Sequence, residues 1–245
     1  MEPEDRANRR ALRVVRKHVP RTLIFGAGVL FVLSIPVLLL TTNLRLAANE
    51  IRLYEYGFNK YEASAAMGMD LDELLEVADE MITYFNSDDE YLDVEVFNQR
   101  ETDHMKDVKG LVRLAYLLQM IALAYFVFYI AITFALKRGG LWRGLAGGLL
   151  WGGWMTIALL ATLGIWAAID FDSLFLAFHL SSFSNDLWLL SPGDSLLLMF
   201  PEGFFYEATM MVAGATIAEA LILGVLGWGI MKLRRRRERK ALLLH

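Results

Sequence analysis

Of the 245 residues, 56% are apolar, and the mean hydropathy of +0.40 lies above the range of water-soluble domains, so the chain reads as an integral membrane protein. There is no cysteine, which excludes disulfide staples, thiolate nucleophiles, thiol redox relays and Cys-ligated metals, and with them the four-span disulfide oxidoreductases. The formal net charge of −4 is the sum of strongly opposed segments, and their order along the chain carries topological information.

Residues 1–21 form a basic leader with Arg6, Arg9, Arg10, Arg13, Arg16, Lys17 and Arg21, and residues 22–42 are the first predicted span. Its apolar core, 22–40, is longer than the roughly 7–15 residues of a signal-peptide core and no small-x-small cleavage site follows, so an uncleaved anchor is expected. Residues 43–110 then hold 17 Asp/Glu against six Lys/Arg, a net charge of −11, and make a small cap. Within the cap, Asp70-Leu71-Asp72-Glu73 is a capping-box pattern. Leu71, Leu74, Leu75, Ala78, Met81, Ile82 and Phe85 follow at helical spacing, which predicts an amphipathic helix to Asn86. Leu92, Val94 and Val96 alternate with Asp93 and Glu95 and predict a short strand, with Ile51, Leu53 and Tyr54 to Tyr56 as its partner. The cap is therefore expected to be mixed α/β, resting on the membrane.

The second span is 111–136, followed by the basic turn 137–144 and the third span, 145–169, which opens on Gly144, Gly148, Gly152 and Thr156 at four-residue spacing. Such small-residue ridges let helices approach closely in lipid, and Ala220 and Gly224 make a weaker ridge in the fourth span, 208–231. Between the third and fourth spans, residues 170–207 contain six acids, no Lys or Arg, and nine aromatics. This loop is too apolar to be freely solvated and too interrupted, at Pro192-Gly193 and Pro201, to span; Phe171, Phe175, Phe178 and Ser182 predict an interfacial helix over 171–183. The tail, 232–245, is again basic. By the positive-inside rule, both termini lie in the cytoplasm and both long loops outside. Beside a membrane these basic segments read as topology signals and anionic-lipid contacts, and no nucleic-acid partner is expected.

Four histidines are present, and topology separates them. His18 and His245 fall in the leader and at the end of the tail, whereas His104 and His179 both fall just outside a span on the same membrane face. His104 is predicted to run helically into the second span with Asp107 three residues on, a carboxylate placed to hold one ring nitrogen. Two imidazoles at one face suit acid–base work near neutral pH. A zinc site lacks a third ligand, haem ligands would sit inside the bundle rather than at its rim, and no G-x-S-x-G elbow occurs, so neither metal nor cofactor is expected. Glu219, within the fourth span, reads either as a functional carboxyl or as a protonated one paired with Gln119 or Thr156. Arg113 is placed to reach a lipid headgroup.

The segment Glu101-Thr102-Asp103-His104-Met105-Lys106-Asp107-Val108-Lys109 resembles the H-M-x-D-V-K signature of the Lit lipoprotein intramolecular transacylases. Phe178-His179 with Asn185, Trp188, Pro192, Asp194, Pro201 and Phe204-Phe205 resembles the second signature of that family, and the likeness extends to Tyr54-Glu55-Tyr56-Gly57-Phe58. The resemblance implies four spans under an extracytoplasmic cap in a bacterial cytoplasmic membrane. It implies transfer of the sn-2 acyl chain of a diacylated lipoprotein to its own N-terminal α-amine, without cofactor or covalent enzyme intermediate. It implies His104 and His179 as the catalytic pair, supported by Asp107, Asn185, Lys109 and Asp194. Tyr54, Arg113, Phe178, Phe183, Trp188, Phe204 and Phe205 would contact the lipid substrate. The alternatives are a non-catalytic protein of the same fold that binds lipid or lipoprotein, or partners an envelope complex, and a small channel. Oligomeric state is not legible.

Overall fold

The computed structural model of the chain describes residues 20–136 and 139–242. The leader to Val19 with His18, Lys137 and Arg138 of the basic turn, and the last three residues with His245 lie outside the described residues. Among the described residues nine helices follow in order: α1 (Arg21–Asn49), α2 (Ile51–Lys60), α3 (Ala63–Met67), α4 (Leu71–Asn86), α5 (Gln99–Leu136), α6 (Gly139–Ile169), α7 (Phe171–Ser182), α8 (Ser195–Met199) and α9 (Glu202–Leu242). Four of them, α1, α5, α6 and α9, contain stretches long and apolar enough to cross a membrane. Each runs past the apolar stretch that announces it: α5 starts 12 residues before Leu111, at Gln99. Side chains such as Phe25, Leu30, Ile121, Phe128, Trp151, Ile165 and Val225 point outward, as they must where the solvent is lipid.

The chain divides into two compact units. In the first (residues to 39, 119–159 and 216 onward), Phe31, Ile35, Tyr129, Leu145 and Leu149 form the core. Phe31 stacks on Tyr129 with ring centroids 4.4 Å apart. The glycine ridge of α6 makes this possible: a Cβ at Gly148 would overlap the Phe31 ring, and one at Gly152 would overlap Ile35. A second face of α6 meets α9 backbone to backbone. A Cβ at Gly153 would lie 2.6 Å from Ala220 O, and one at Gly227 would lie 2.6 Å from Ala146 O. Buried Thr156 donates to Gly152 O at 2.8 Å, one turn back in its own helix.

The second unit (40–118 and 160–215) has an aromatic-rich core built on α2, α4, the start of α5 and the segment from Leu196 to Phe204. The α4 helix begins as its sequence predicts, with Asp70 and Glu73 in a reciprocal capping box, and turns Leu74, Val77, Ala78, Met81, Tyr84 and Phe85 inward. Between α2 and α4 the chain reverses through the left-handed residues Glu62 and Gly68.

The expected strands do not form. Ile51–Lys60 is a helix, capped by Glu50, with Tyr54, Gly57 and Phe58 on its buried face. Ile51, Tyr54 and Phe58 fit a helical stripe as well as Ile51, Leu53 and its neighbours fit alternation, and the cap and burial decide for the helix. Residues 92–96 do bury Leu92 and Val94 while exposing Asp93 and Glu95, but as irregular chain that turns at Glu95-Val96, where Phe97 N donates to Val94 O at 3.2 Å. With its expected partner helical it has no ladder to join. The described residues contain no strand, so this part of the protein is all-α rather than mixed.

Candidate active site

Both histidines project from helix interiors in the second unit. The α5 helix is opened by a second capping box: Asn98 Oδ1 accepts from Glu101 N at 3.1 Å while Glu101 Oε2 accepts from Asn98 N at 2.8 Å. That cap lengthens α5 through polar residues, and His104 sits in its second turn. The α7 helix is separated from α6 by the single residue Asp170, whose carboxylate accepts from Ser173 N at 3.0 Å, and carries His179 on its one buried position.

The two rings lie with centroids 6.4 Å apart and planes inclined by 28°. Aromatic side chains enclose them. Phe183 meets His104 edge-on at 5.1 Å and His179 at 5.7 Å, and Trp188 lies 5.0 Å from His179. Phe175 and Phe178, from α7 itself, lie 4.3 and 5.3 Å from the His179 ring. Each histidine is only 8% exposed.

The ring nitrogens differ in what they touch. His179 Nδ1 is 2.8 Å from the carbonyl oxygen of Phe175, one turn back. A carbonyl can only accept, so Nδ1 carries the hydrogen and Nε2 keeps the lone pair. Burial pushes the His179 pKa below its usual value, against the smaller opposing effect of the Phe175 carbonyl, so the ring is neutral at neutral pH. His104 Nδ1, in contrast, is buried without a hydrogen-bond partner. The expected Asp107–His104 hydrogen bond is replaced by another: Asp107 Oδ2 accepts from Asn185 Nδ2 at 2.8 Å. Asn185 Oδ1 also accepts from Leu187 N at 3.0 Å, which fixes the turn leading to Trp188.

Other residues singled out in the sequence divide into groups. Phe178, Phe183 and Trp188 line the histidine pair, and Phe205 packs behind Phe175 at 5.4 Å. Tyr54 and Phe204 are instead core: Tyr54 donates to Ala48 O at 3.0 Å, and the Phe204 ring covers Gly57. Lys109 is buried over the Tyr84 ring at 3.8 Å and donates to Asp89 O at 2.6 Å. Arg113 holds the same turn through Ser87 O and Asp88 Oδ1. Both cations therefore grip the 87–89 turn and do not touch the histidines. Asp194 accepts from Asn98 Nδ2 at 3.0 Å and from Ser191 N at 2.6 Å. Among the described residues no group of three or more His, Asp and Glu is arranged to hold a metal ion.

Three contributors escape a reading of the sequence. Phe175 acts through its carbonyl, which no side-chain pattern reveals. Arg100 donates to Asp186 O, across 86 residues of sequence. Glu101 is 1% exposed and its carboxylate takes a second N–H, from Leu196 at 2.7 Å. Only the N-x-x-E spacing of Asn98 and Glu101 signals any of this beforehand.

Residues 29–205 match the family of the lipoprotein intramolecular transacylase Lit. The fold is similar to that of the membrane-integral lipoprotein intramolecular transacylase Lit from Bacillus cereus, with a TM-score of 0.78 and 22% identity over 89% of this chain and 100% of that one. A structure of the same Bacillus protein with one histidine replaced by arginine gives a TM-score of 0.72 over 88% of this chain and 95% of that one, again at 22% identity. An uncharacterized protein of Aquifex aeolicus is 28% identical over 143 residues, which are 56% of this chain and 60% of that protein's length.

Proposed function

The chain belongs to the Lit family of lipoprotein intramolecular transacylases, and from that premise we propose that it transfers the sn-2 acyl chain of a diacylglyceryl-cysteine lipoprotein to the lipoprotein's own N-terminal α-amine. The product is the lyso form. The observation that carries the reading is the pair of buried neighbouring imidazoles, His104 and His179, inside an aromatic wall.

The reaction asks little else of the protein. Acyl donor, nucleophile and leaving group belong to one substrate, and ester-to-amide exchange is downhill, so nothing need be activated by a nucleotide. Holding amine and carbonyl together supplies on the order of 7–11 kcal/mol. His179, neutral and with its lone pair fixed at Nε2, takes the proton of the attacking amine. His104 turns a ring N–H to the oxyanion that forms at the ester carbonyl. The C–O bond to glycerol breaks as the C–N bond persists, and the proton removed from the amine ends on the glycerol oxygen. From the free-base amine no net proton or electron enters or leaves, the extra proton of the ammonium form having gone to solvent before attack. Phe178, Phe183 and Trp188 keep water, which would hydrolyse the ester, from the carbonyl.

The charge pattern supports a bacterial cytoplasmic membrane location with both termini inside and the histidines at the outer face. The test is direct: express the protein in a cell whose lipoproteins are diacylated, and take mass spectra of their N-terminal lipopeptides. Appearance of the lyso form is the expected result. Persistence of only the diacylglyceryl form overturns the proposal, and binding of the lipopeptide without acyl migration favours a lipoprotein-binding protein of the same fold.

A further inference from the structure

We infer that Glu101 is a positioning residue of the transacylase site, through its hold on the segment that walls the two histidines. This rests on the proposed reading of His104 and His179.

An N3 glutamate in a capping box normally has one task, to accept the N–H of its own N-cap residue. Glu101 does this with Oε2 and Asn98, yet its other oxygen reaches out of the helix to Leu196 N, at 2.7 Å, near the start of α8. The carboxylate is 1% exposed and so sits where water cannot replace either partner. Losing the group would strand the Leu196 N–H in an apolar surrounding.

Around this bond the same stretch of α5 makes three others to the loop after α7. Asn98 donates to Asp194, Arg100 donates to Asp186 O, and Asp107 accepts from Asn185. Ser195 Oγ adds a bond to Val96 O at 2.7 Å, just before the helix. The partners, 185–196, flank Trp188 and follow Phe183, the two rings that lie against the histidines. Of these bonds, Glu101–Leu196 is the most deeply buried. Glu101 also lies one turn before His104 on α5. A single helix thus carries one histidine and anchors the wall over both.

The alternative is that Glu101 merely stabilises the fold. Two variants and a control separate these. Glu101→Ala removes both acceptor oxygens, Glu101→Gln keeps one for Leu196, and Leu74→Ala opens a cavity in the helical core with no part in the clasp. With purified protein and a synthetic diacylated lipopeptide, Glu101→Ala is expected to lower turnover on the order of 100-fold with KM within about threefold, and Glu101→Gln to restore most of the loss. Leu74→Ala, at a temperature lowered to match its melting point, should keep wild-type turnover. A second readout needs no activity: the ring ¹⁵N signals of His104 and His179, assigned by deletion among the four histidines of the chain, should move in Glu101→Ala and stay in Leu74→Ala. If turnover per folded molecule and ring signals in Glu101→Ala match the Leu74→Ala control, the residue is structural and the inference fails. If Glu101→Ala does not fold, Glu101→Met, which keeps the volume and removes both acceptor oxygens, bears the same comparison, with loss of turnover and shifted signals supporting the clasp and wild-type values overturning it. Should wild-type protein convert no lipopeptide at all, the proposed function fails, while the ring signals still decide the clasp.

Discussion

His179 Nδ1 stands 2.8 Å from the backbone carbonyl of Phe175, so the ring is held in one tautomer by its own helix before any substrate arrives. No carboxylate does this work. Burial, the larger effect, lowers the basicity of the ring, and the Phe175 carbonyl that orients it raises it by less.

The pH dependence follows from that shift. The folded-state pKa of His179 lies below the unfolded value of 6.5, so the unfolded chain binds more protons in the window between them. This contribution to stability is therefore intact above pH 6.5 and lost as pH falls below it toward the folded pKa. Turnover should fall in the same acid window, and at higher pH should rise only with deprotonation of the substrate α-amine, near pH 8. Rate profiles of wild type and His179→Ala check this: the acid limb should vanish in the variant.

Replacing either histidine by alanine should lower turnover by roughly 10²–10⁴-fold, the range for a positioned general acid or base. Wild-type conversion by both variants would remove the histidine pair from the mechanism. Mass spectrometry of the lipopeptide product provides the measurement.

The Asp107–Asn185 hydrogen bond predicts a sign. Asn185→Asp sets two carboxylates 2.8 Å apart where a donor met an acceptor, and frees the turn before Trp188. Turnover should drop by about tenfold or more, and the further change Asp107→Asn should recover part of it. Unchanged turnover in Asn185→Asp would show that the turn is held by other bonds alone.

Lys109→Ala should cost about 1–3 kcal/mol of stability, because Asp89 O loses its donor beneath the 87–89 turn. Turnover per folded molecule should stay near wild type, since Lys109 touches the turn and the Tyr84 ring rather than the histidines. Thermal unfolding in detergent alongside initial rates tests both parts.

Gly57→Ala should destabilise, against the usual gain of up to about 1 kcal/mol for that change inside a helix. The added methyl would overlap the Phe204 ring, which is itself boxed in by Tyr54 and Phe200 and cannot yield. A loss of about 1–3 kcal/mol is expected from overpacking. A raised melting temperature would show that Phe204 has room to move.

Hydropathy made the four long helices legible, because apolar stretches of that length have few other uses, and the Asp70–Glu73 cap fixed the start of α4. The glycines of α6 declared a packing ridge, although what fills it is largely Phe31 and Ile35 rather than another backbone. Alternation misled at 51–56 and 92–96. In a short stretch the two periods overlap, and irregular chain that ends in a turn can alternate in burial as a strand does. The histidine pair could be picked out by topology and resemblance. Its supports could not: a carbonyl, an Arg100–Asp186 bond and a carboxylate shared with Leu196 depend on contacts that no local pattern encodes.

Asp170 is the one residue between α6 and α7, its amide bonded back to Trp166 O and its carboxylate forward to Ser173 N, while Trp166 Nε1 reaches Ser173 Oγ at 3.3 Å. There is no slack at this junction. Under the proposed reaction, the depth at which His179 would meet a lipid ester is set by where the third span ends, and a thicker or thinner bilayer would displace the imidazole along the membrane normal with the helix that carries it. Acyl-chain length in the host membrane would thereby become a determinant of the proposed reaction's geometry, felt through the scaffold before any acyl group is bound.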